Sequence, residues 1–199
     1  MDPTKEQMDG LKELINIGVG RAANVLNTML NSHIRLQIPF VKLLDALHFK
    51  KEIEVLGPND LSAVELGFRG NFSGSTQLIF TTESASKLVR ILAGETNEIE
   101  DLDSIRAGTL TEIGNIVLKG VMGSISNMLE FHFDYSVPNY LEGKADVLLG
   151  SDTMATDRTV LLARTHFLVE ELDINGDIAL FFEMTVFHKL LTAIEALSG

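Results

Sequence analysis

Two short spacings in this chain bring together groups that can act on a substrate, Glu13-x-x-Asn16 and Glu112-x-x-Asn115. Three residues apart on a helix, a carboxylate and an amide sit on adjacent turns and reach one partner at the same time. The pair includes no nucleophile, no metal cage and no phosphate-cradling loop, so it cannot form a complete active site alone. An amide can hold an attacking water through a donor and an acceptor at once, as a glutamine does in GTP hydrolysis, and a carboxylate can pair with a cation on the partner. That division suits phosphoryl transfer, where catalysis is mostly positioning and charge stabilisation and a substrate protein can bring the magnesium and a lysine.

The two spacings belong to a longer repeat. Glu13-x-x-Asn16 is followed by Pro39 as Glu112-x-x-Asn115 is followed by Pro138, a shift of 99 residues in a chain with only four prolines. A second block repeats at a shift of 102, with Gly74-x-x-x-Leu78-Ile79-Phe80 echoed by Gly176-x-x-x-Leu180-Phe181-Phe182. Such self-similarity is the signature of a duplicated unit. Each half, about 1-97 and 98-199, reads as a long helix, a strand ending at proline, an irregular middle, two adjacent strands and a shorter helix.

The first half is expected to hold helix 4-31, strands 34-38, 61-69 and 72-81 with a turn at Gly70-Asn71, and helix 84-93. The second is expected to hold helix 103-129, strands 131-137, 159-169 and 172-183, and helix 185-197, with Asn175-Gly176 as a bulge or edge of its hairpin. The acidic stretch Glu95 to Asp103 reads as a solvated linker. The expected fold is α+β: a single domain, 1-199, of two pseudo-twofold related α-β-β-β-α halves, with the long helices packed on an antiparallel sheet.

At 100° per residue, Leu11, Leu14, Ile15, Gly18, Ala22, Val25, Leu26 and Met29 fall on one side of the first helix, and Asp9, Glu13, Asn16, Gly20, Asn24 and Asn27 on the other. The second helix places Leu110, Ile113, Val117, Val121, Ser124, Ile125 and Met128 inward, and Gly108, Glu112, Asn115 and Lys119 outward. Asn31 falls on the same outer side of the first helix. Both Glu-Asn pairs are thus expected to be fully exposed, a geometry for a protein surface rather than a cleft. Exposed helical positions are ordinarily polar, yet Asn costs roughly half a kcal/mol against Ala in a helix interior and recurs at the equivalent place. Gly18 falls on the buried stripe, where it permits close packing, whereas Gly20 falls on the open face and clears space beside Asn16.

Composition narrows the partners. A net charge of -12 opposes nucleic acid and anionic lipid, which require a concentrated basic patch. The absence of cysteine removes thiolate chemistry, and the five histidines show no ligand-like pair within one helix turn, so no metal or cofactor of its own is expected. No apolar run is long enough to cross a bilayer and the N-terminus has no signal core, which points to the cytoplasm.

At these residues the sequence resembles the CheC/CheX/FliY family of CheY-phosphate phosphatases. The family pattern is Asp or Ser, three residues, Glu, two residues, Asn, twenty-two residues, Pro, and Asp9, Glu13, Asn16 and Pro39 match it throughout. In the second copy Glu112, Asn115 and Pro138 match, but Gly108 stands where Asp or Ser is expected, so the first site is expected to do more of the work. Two motifs in a chain of this length resemble the CheC-type member. The resemblance implies a phosphatase of response-regulator aspartyl phosphate in chemotaxis, with Asn16 or Asn115 positioning water, Glu13 or Glu112 pairing with a regulator lysine, and Mg2+ held by the regulator. It also admits a non-catalytic adaptor or switch-like module that acts on a CheD-like deamidase or the flagellar motor. The internal pseudo-dimer implies a monomer.

Overall fold

Thr4 and Gln7 start the first helix by capping each other. The Thr4 N–H donates to Gln7 Oε1 at 2.7 Å and the Gln7 N–H donates to Thr4 Oγ1 at 3.2 Å, which satisfies two backbone donors that the first turn leaves open. The computed structural model describes residues 3-30, 33-56, 60-93, 102-149, 158-169 and 172-198. In chain order these form α1 (Lys5–Leu30), β1 (Ile34–Asp45), α2 (Ala46–Glu54), β2 (Leu61–Gly70), β3 (Gly74–Thr81), α3 (Thr82–Ala93), α4 (Leu102–Leu129), β4 (Phe133–Tyr135), β5 (Asn139–Gly143), α5 (Ala145–Leu149), β6 (Arg158–Val169), β7 (Leu172–Glu183) and α6 (Met184–Ser198).

The strands form one antiparallel sheet in the order β1-β6-β7-β3-β2-β4, with β5 also on β2. The halves interlock. The first half's β1 lies on the second half's β6, and the second half's β4 and β5 lie on the first half's β2. Alternation along the central strands decides what each face buries. Leu161, Ala163, Ile178, Leu180 and Phe182 join the core beneath α1, α3, α4 and α6, while Val160, Leu162, Ala179 and Phe181 join a second cluster with Phe49 and Ile53 of α2 and Leu148 and Leu149 of α5. The sheet is therefore covered on both faces.

That second layer corrects the expected element order, because each irregular middle contains a helix: the first half runs α-β-α-β-β-α and the second α-β-β-α-β-β-α. The α2 helix is capped by Asp45, whose carboxylate accepts the His48 N–H at 2.8 Å. Its anchors Phe49 and Ile53 are one turn apart, but nine residues are shorter than the window over which helical periodicity can be read from sequence. The five residues of α5 are shorter still.

Neither proline ends its segment in the way expected. The β1 strand continues past Pro39 to Asp45, and its register on β6 shifts between Gln37 and Phe40. Proline has no N–H to donate, so it is accommodated at an edge-strand irregularity. In the second half the expected strand 131-137 shrinks to β4, and Pro138 falls in the gap before β5. Ser136 bridges that gap: its N–H donates to the Gly67 carbonyl at 2.9 Å and its Oγ accepts the Gly67 N–H at 2.9 Å.

Asn175 and Gly176 form no bulge, since they pair in continuous register with His166 and Thr165. Glycine is needed at 176 because a Cβ there would lie 2.6 Å from the Phe80 ring. Asn31 and most of the acidic stretch, 95-101, lie outside the described residues. Among the described residues no helix is long and apolar enough to cross a membrane.

One charged pair is embedded in the sheet. The Arg164 Nε donates to Asp177 Oδ1 at 2.9 Å, and the guanidinium lies 5.2 Å from the Phe40 ring centroid. Burial pushes the Asp177 carboxyl above its ordinary value, against the opposing pull of Arg164.

Candidate functional site

The helix α1 carries Asp9, Glu13 and Asn16, and α4 carries Gly108, Glu112 and Asn115. The buried residues of α1 include Leu11, Leu14, Ile15, Ala22 and Leu26 as expected, and also Val19 and Ala23. On α4 the residues at the same repeat positions, Leu118 and Met122, are likewise buried beyond expectation. Val25, Met29 and Met128, expected inside, are 48%, 55% and 41% exposed. Burial follows the neighbours rather than a fixed stripe: towards the C-terminal end of each helix the covered side turns toward the row that contains Asn16, Val19 and Ala23, or Asn115, Leu118 and Met122.

That rotation corrects the expected exposure of the site. Glu13 and Glu112 are exposed, but Asn16 and Asn115 are half-buried. Each amide sits at the border of its helix interface with its carboxylate one turn earlier in open solvent. Asp9 and Gly108 are exposed, as is Pro39, and Pro138 is half-buried.

None of Glu13, Asn16 and Glu112 makes a side-chain hydrogen bond or ion pair among the described residues, and the buried Oδ1 of Asn115 has no donor. A buried acceptor without a donor costs on the order of 1–3 kcal/mol. The structure thus holds one amide oxygen in an unsatisfied position on the face of α4.

Two glycines fix the relation between the site helices. A Cβ on Gly18 would lie 2.5 Å from the Val121 Cα and 2.8 Å from the Gly120 carbonyl oxygen, and one on Gly120 would lie 2.9 Å from the Gly18 oxygen. The α1 and α4 backbones therefore touch two residues after Asn16 and five after Asn115. A Cβ on Gly20 would meet nothing within 4 Å, and the same holds at Gly108. Gly20 is open on the face that bears Glu13 and Asn16.

Several contacts that hold these helices to the sheet were not anticipated from sequence. The Lys12 ammonium donates to the Pro39 carbonyl at 2.9 Å. The Asn27 amide oxygen accepts the Ile34 N–H at 2.5 Å, and the Ser126 hydroxyl, at the same repeat position, donates to the Phe131 carbonyl at 2.5 Å. Arg106 reaches both carboxylate oxygens of Glu142 at 3.0 Å, which ties α4 to β5. Asn27 and Ser126 occupy equivalent positions at the 99-residue shift but differ in type, so the repeat alone did not single them out, and Lys12 lies outside the repeated motif.

Among the described residues no three His, Asp or Glu side chains converge as metal ligands would. Chemically, the arrangement offers a free carboxylate and a half-buried amide on each of two helices clamped together. Such a surface can hold water and a cation presented by a partner.

No family model matches the chain. The chain is 32% identical over 139 residues to the CheY-P phosphatase CheC of Bacillus subtilis (strain 168), across 67% of this chain and 65% of that protein. It is 23% identical over 195 residues to the flagellar motor switch phosphatase FliY of the same strain, across 97% of this chain and 50% of that protein. The aligned chain thus spans about two thirds and half, respectively, of these relatives' lengths. Among solved structures, Thermotoga maritima FliY superposes with a TM-score of 0.79 at 19% identity, covering 99% of this chain and 100% of that one. The CheX-CheY-BeF3-Mg+2 complex from Borrelia burgdorferi superposes with a TM-score of 0.53 at 21% identity, covering 86% of this chain and 99% of that one.

Proposed function

We propose, from the premise that the chain belongs to the CheC/CheX/FliY family, that it hydrolyses the aspartyl phosphate of a CheY-like response regulator in chemotaxis signalling. The observation that carries this reading is the state of the two site faces: their carboxylates and amides are unengaged among the described residues, and the Asn115 Oδ1 is buried without a donor. A side chain kept unsatisfied at a cost is suited to a group that arrives with a partner.

In this reading α1 or α4 docks beside the regulator's phosphoaspartate. The Asn16 or Asn115 amide holds a water in line with the phosphorus, and Glu13 or Glu112 pairs with a regulator lysine that otherwise contacts the phosphoryl group. Water attacks phosphorus, the bond from phosphorus to the aspartyl oxygen breaks, and inorganic phosphate leaves with the regulator carboxylate restored. The water's surplus proton passes to solvent. The chain supplies no cofactor of its own, and the Mg2+ that neutralises the phosphoryl charge belongs to the regulator. The protein acts as a monomer in the cytoplasm.

The test is the loss of labelled phosphate from a phosphorylated CheY-like regulator with wild-type protein and with the Asn16→Ala, Asn115→Ala double variant. Loss at the same rate with both proteins overturns the reading.

A second reading, a binding module that regulates a CheD-like deamidase or the flagellar motor, is favoured by the exposed Leu47, Val55 and Val147 on and beside α2 and α5, at 60%, 84% and 50%. Apolar side chains left in water suit a protein contact. Binding of phosphorylated regulator without shortening of its phosphate lifetime would select this reading.

A further inference from the structure

Pro39 stands 23 residues after Asn16 in the repeated pattern, and the structure ties it to the helix that carries Asn16. Lys12, Asn16, Val19 and Ala23 are spaced four, three and four residues apart and so form one row along α1. Val19 and Ala23 are buried and Asn16 is half-buried. Lys12 opens the row, one turn before Asn16, and its Nζ donates to the carbonyl of Pro39 at 2.9 Å. Pro39 lies at the register shift of β1, where it has no register partner on β6.

We propose that Lys12 is a positioning residue of the first site. Resting on the phosphatase reading, it clamps the Pro39 irregularity of edge strand β1 against α1, which fixes the strand-side wall beside Asn16. An ammonium-to-carbonyl bond is directional at the carbonyl and charge-assisted, so it holds a strand edge that proline has deprived of one ladder hydrogen bond.

Among the described residues the second site has no such clamp. Its equivalent of Lys12 is Thr111, whose hydroxyl donates back to the Ala107 carbonyl one turn earlier, at 2.6 Å, rather than toward Pro138. The tie of α4 to the sheet there is Arg106 to Glu142, six residues before Glu112. The two sites therefore differ in the support of the amide as well as in the replacement of the leading Asp by Gly108.

The experiment uses the full chain with one site silenced at a time. In an Asn115→Ala protein, where the first site works alone, Lys12→Met is expected to lower kcat about three- to tenfold, the range a lost hydrogen bond of this kind allows, with KM within about twofold. Lys12→Arg, which keeps the donor and the reach, is expected to restore kcat to within about twofold of the Asn115→Ala parent. In an Asn16→Ala protein, where only the second site works, Lys12→Met is expected to leave the rate unchanged, which separates positioning from a general loss of stability.

An unchanged kcat for Lys12→Met in the first background overturns the proposal, as does an equal loss in both backgrounds. So does a loss that falls in KM and fades with added salt, because the lysine then meets the regulator directly. Failure of the phosphatase reading is a separate result: wild type and the double asparagine variant then act alike, whatever stands at position 12.

Discussion

Gly18→Ala probes the contact that sets the two site helices against each other. The added Cβ would lie 2.5 Å from the Val121 Cα and 2.8 Å from the Gly120 oxygen, both backbone atoms that no rotamer change can move aside. Carbon atoms pack at about 3.5–4.0 Å, so α1 and α4 must part by about 1 Å. Overpacking of this kind costs about 1–3 kcal/mol, and the better helix propensity of alanine returns at most about 1 kcal/mol. The net loss is expected to reach about 2 kcal/mol, which lowers the melting temperature of a chain this size by up to about 8 °C. Gly20→Ala is the internal control, two residues away on the same helix. Its Cβ meets nothing within 4 Å, so it should gain about 0.5–1 kcal/mol. Thermal unfolding of both variants under identical conditions decides the matter. A Gly18→Ala protein that melts at or above the wild type, or a Gly20→Ala protein that melts below it, would refute the reasoning.

Gly20→Ala should also slow dephosphorylation of the regulator by about threefold or more while the fold is intact, because the methyl occupies the open face one turn beyond Asn16. An unchanged rate would show that the clearance is not used. Asp45→Ala removes the cap of α2 and should cost roughly 1 kcal/mol, visible as faster hydrogen exchange in α2 than in α1. Equal protection of α2 in variant and wild type would count against it. For Asp177 the sign follows from burial: its native carboxyl binds a proton more tightly than the unfolded chain does. The stability so contributed is complete below about pH 4 and is lost as pH rises through the raised native value. Asp177→Asn removes that dependence, so relative to wild type the variant should lose ground in acid and recover it toward neutral pH. Parallel stability curves would disprove the assignment.

Much of the architecture was legible because periodicity is a local property. The expected helices 4-31 and 103-129 became Lys5–Leu30 and Leu102–Leu129, and the central strands fell within a few residues of their expected bounds. The mixed fold with its antiparallel sheet was legible too. What escaped was set by neighbours. Helices α2 and α5 are too short for a periodicity window, and their buried residues pack against the second face of the sheet. Val25, Met29 and Met128 have the right phase for the core, but the covered side of each long helix has rotated away by the time it reaches them.

The residues proposed for the site were read in the same way. Spacing was enough to place Glu13 with Asn16 and Glu112 with Asn115 on shared faces. It could not show that the amides would be half-buried, since that depends on which elements flank the helices. The link from Lys12 to Pro39 spans 27 residues of sequence and rests on one long side chain meeting one backbone carbonyl, for which no periodic signal exists. The repeated proline was visible; the reason for its distance from Asn16 was not.

The central claim is that the two amides act on regulator aspartyl phosphate, and that they act unequally. The most direct measurement is the phosphate lifetime of a phosphorylated CheY-like regulator with four proteins side by side: wild type, Asn16→Ala, Asn115→Ala and the double variant. The account predicts that the double variant loses roughly 10- to 100-fold of the acceleration, as loss of a positioning group commonly does. Of the single variants, Asn16→Ala should cost more than Asn115→Ala. A double variant as active as wild type would contradict the mechanism, and a larger loss from Asn115→Ala would contradict the ranking of the sites.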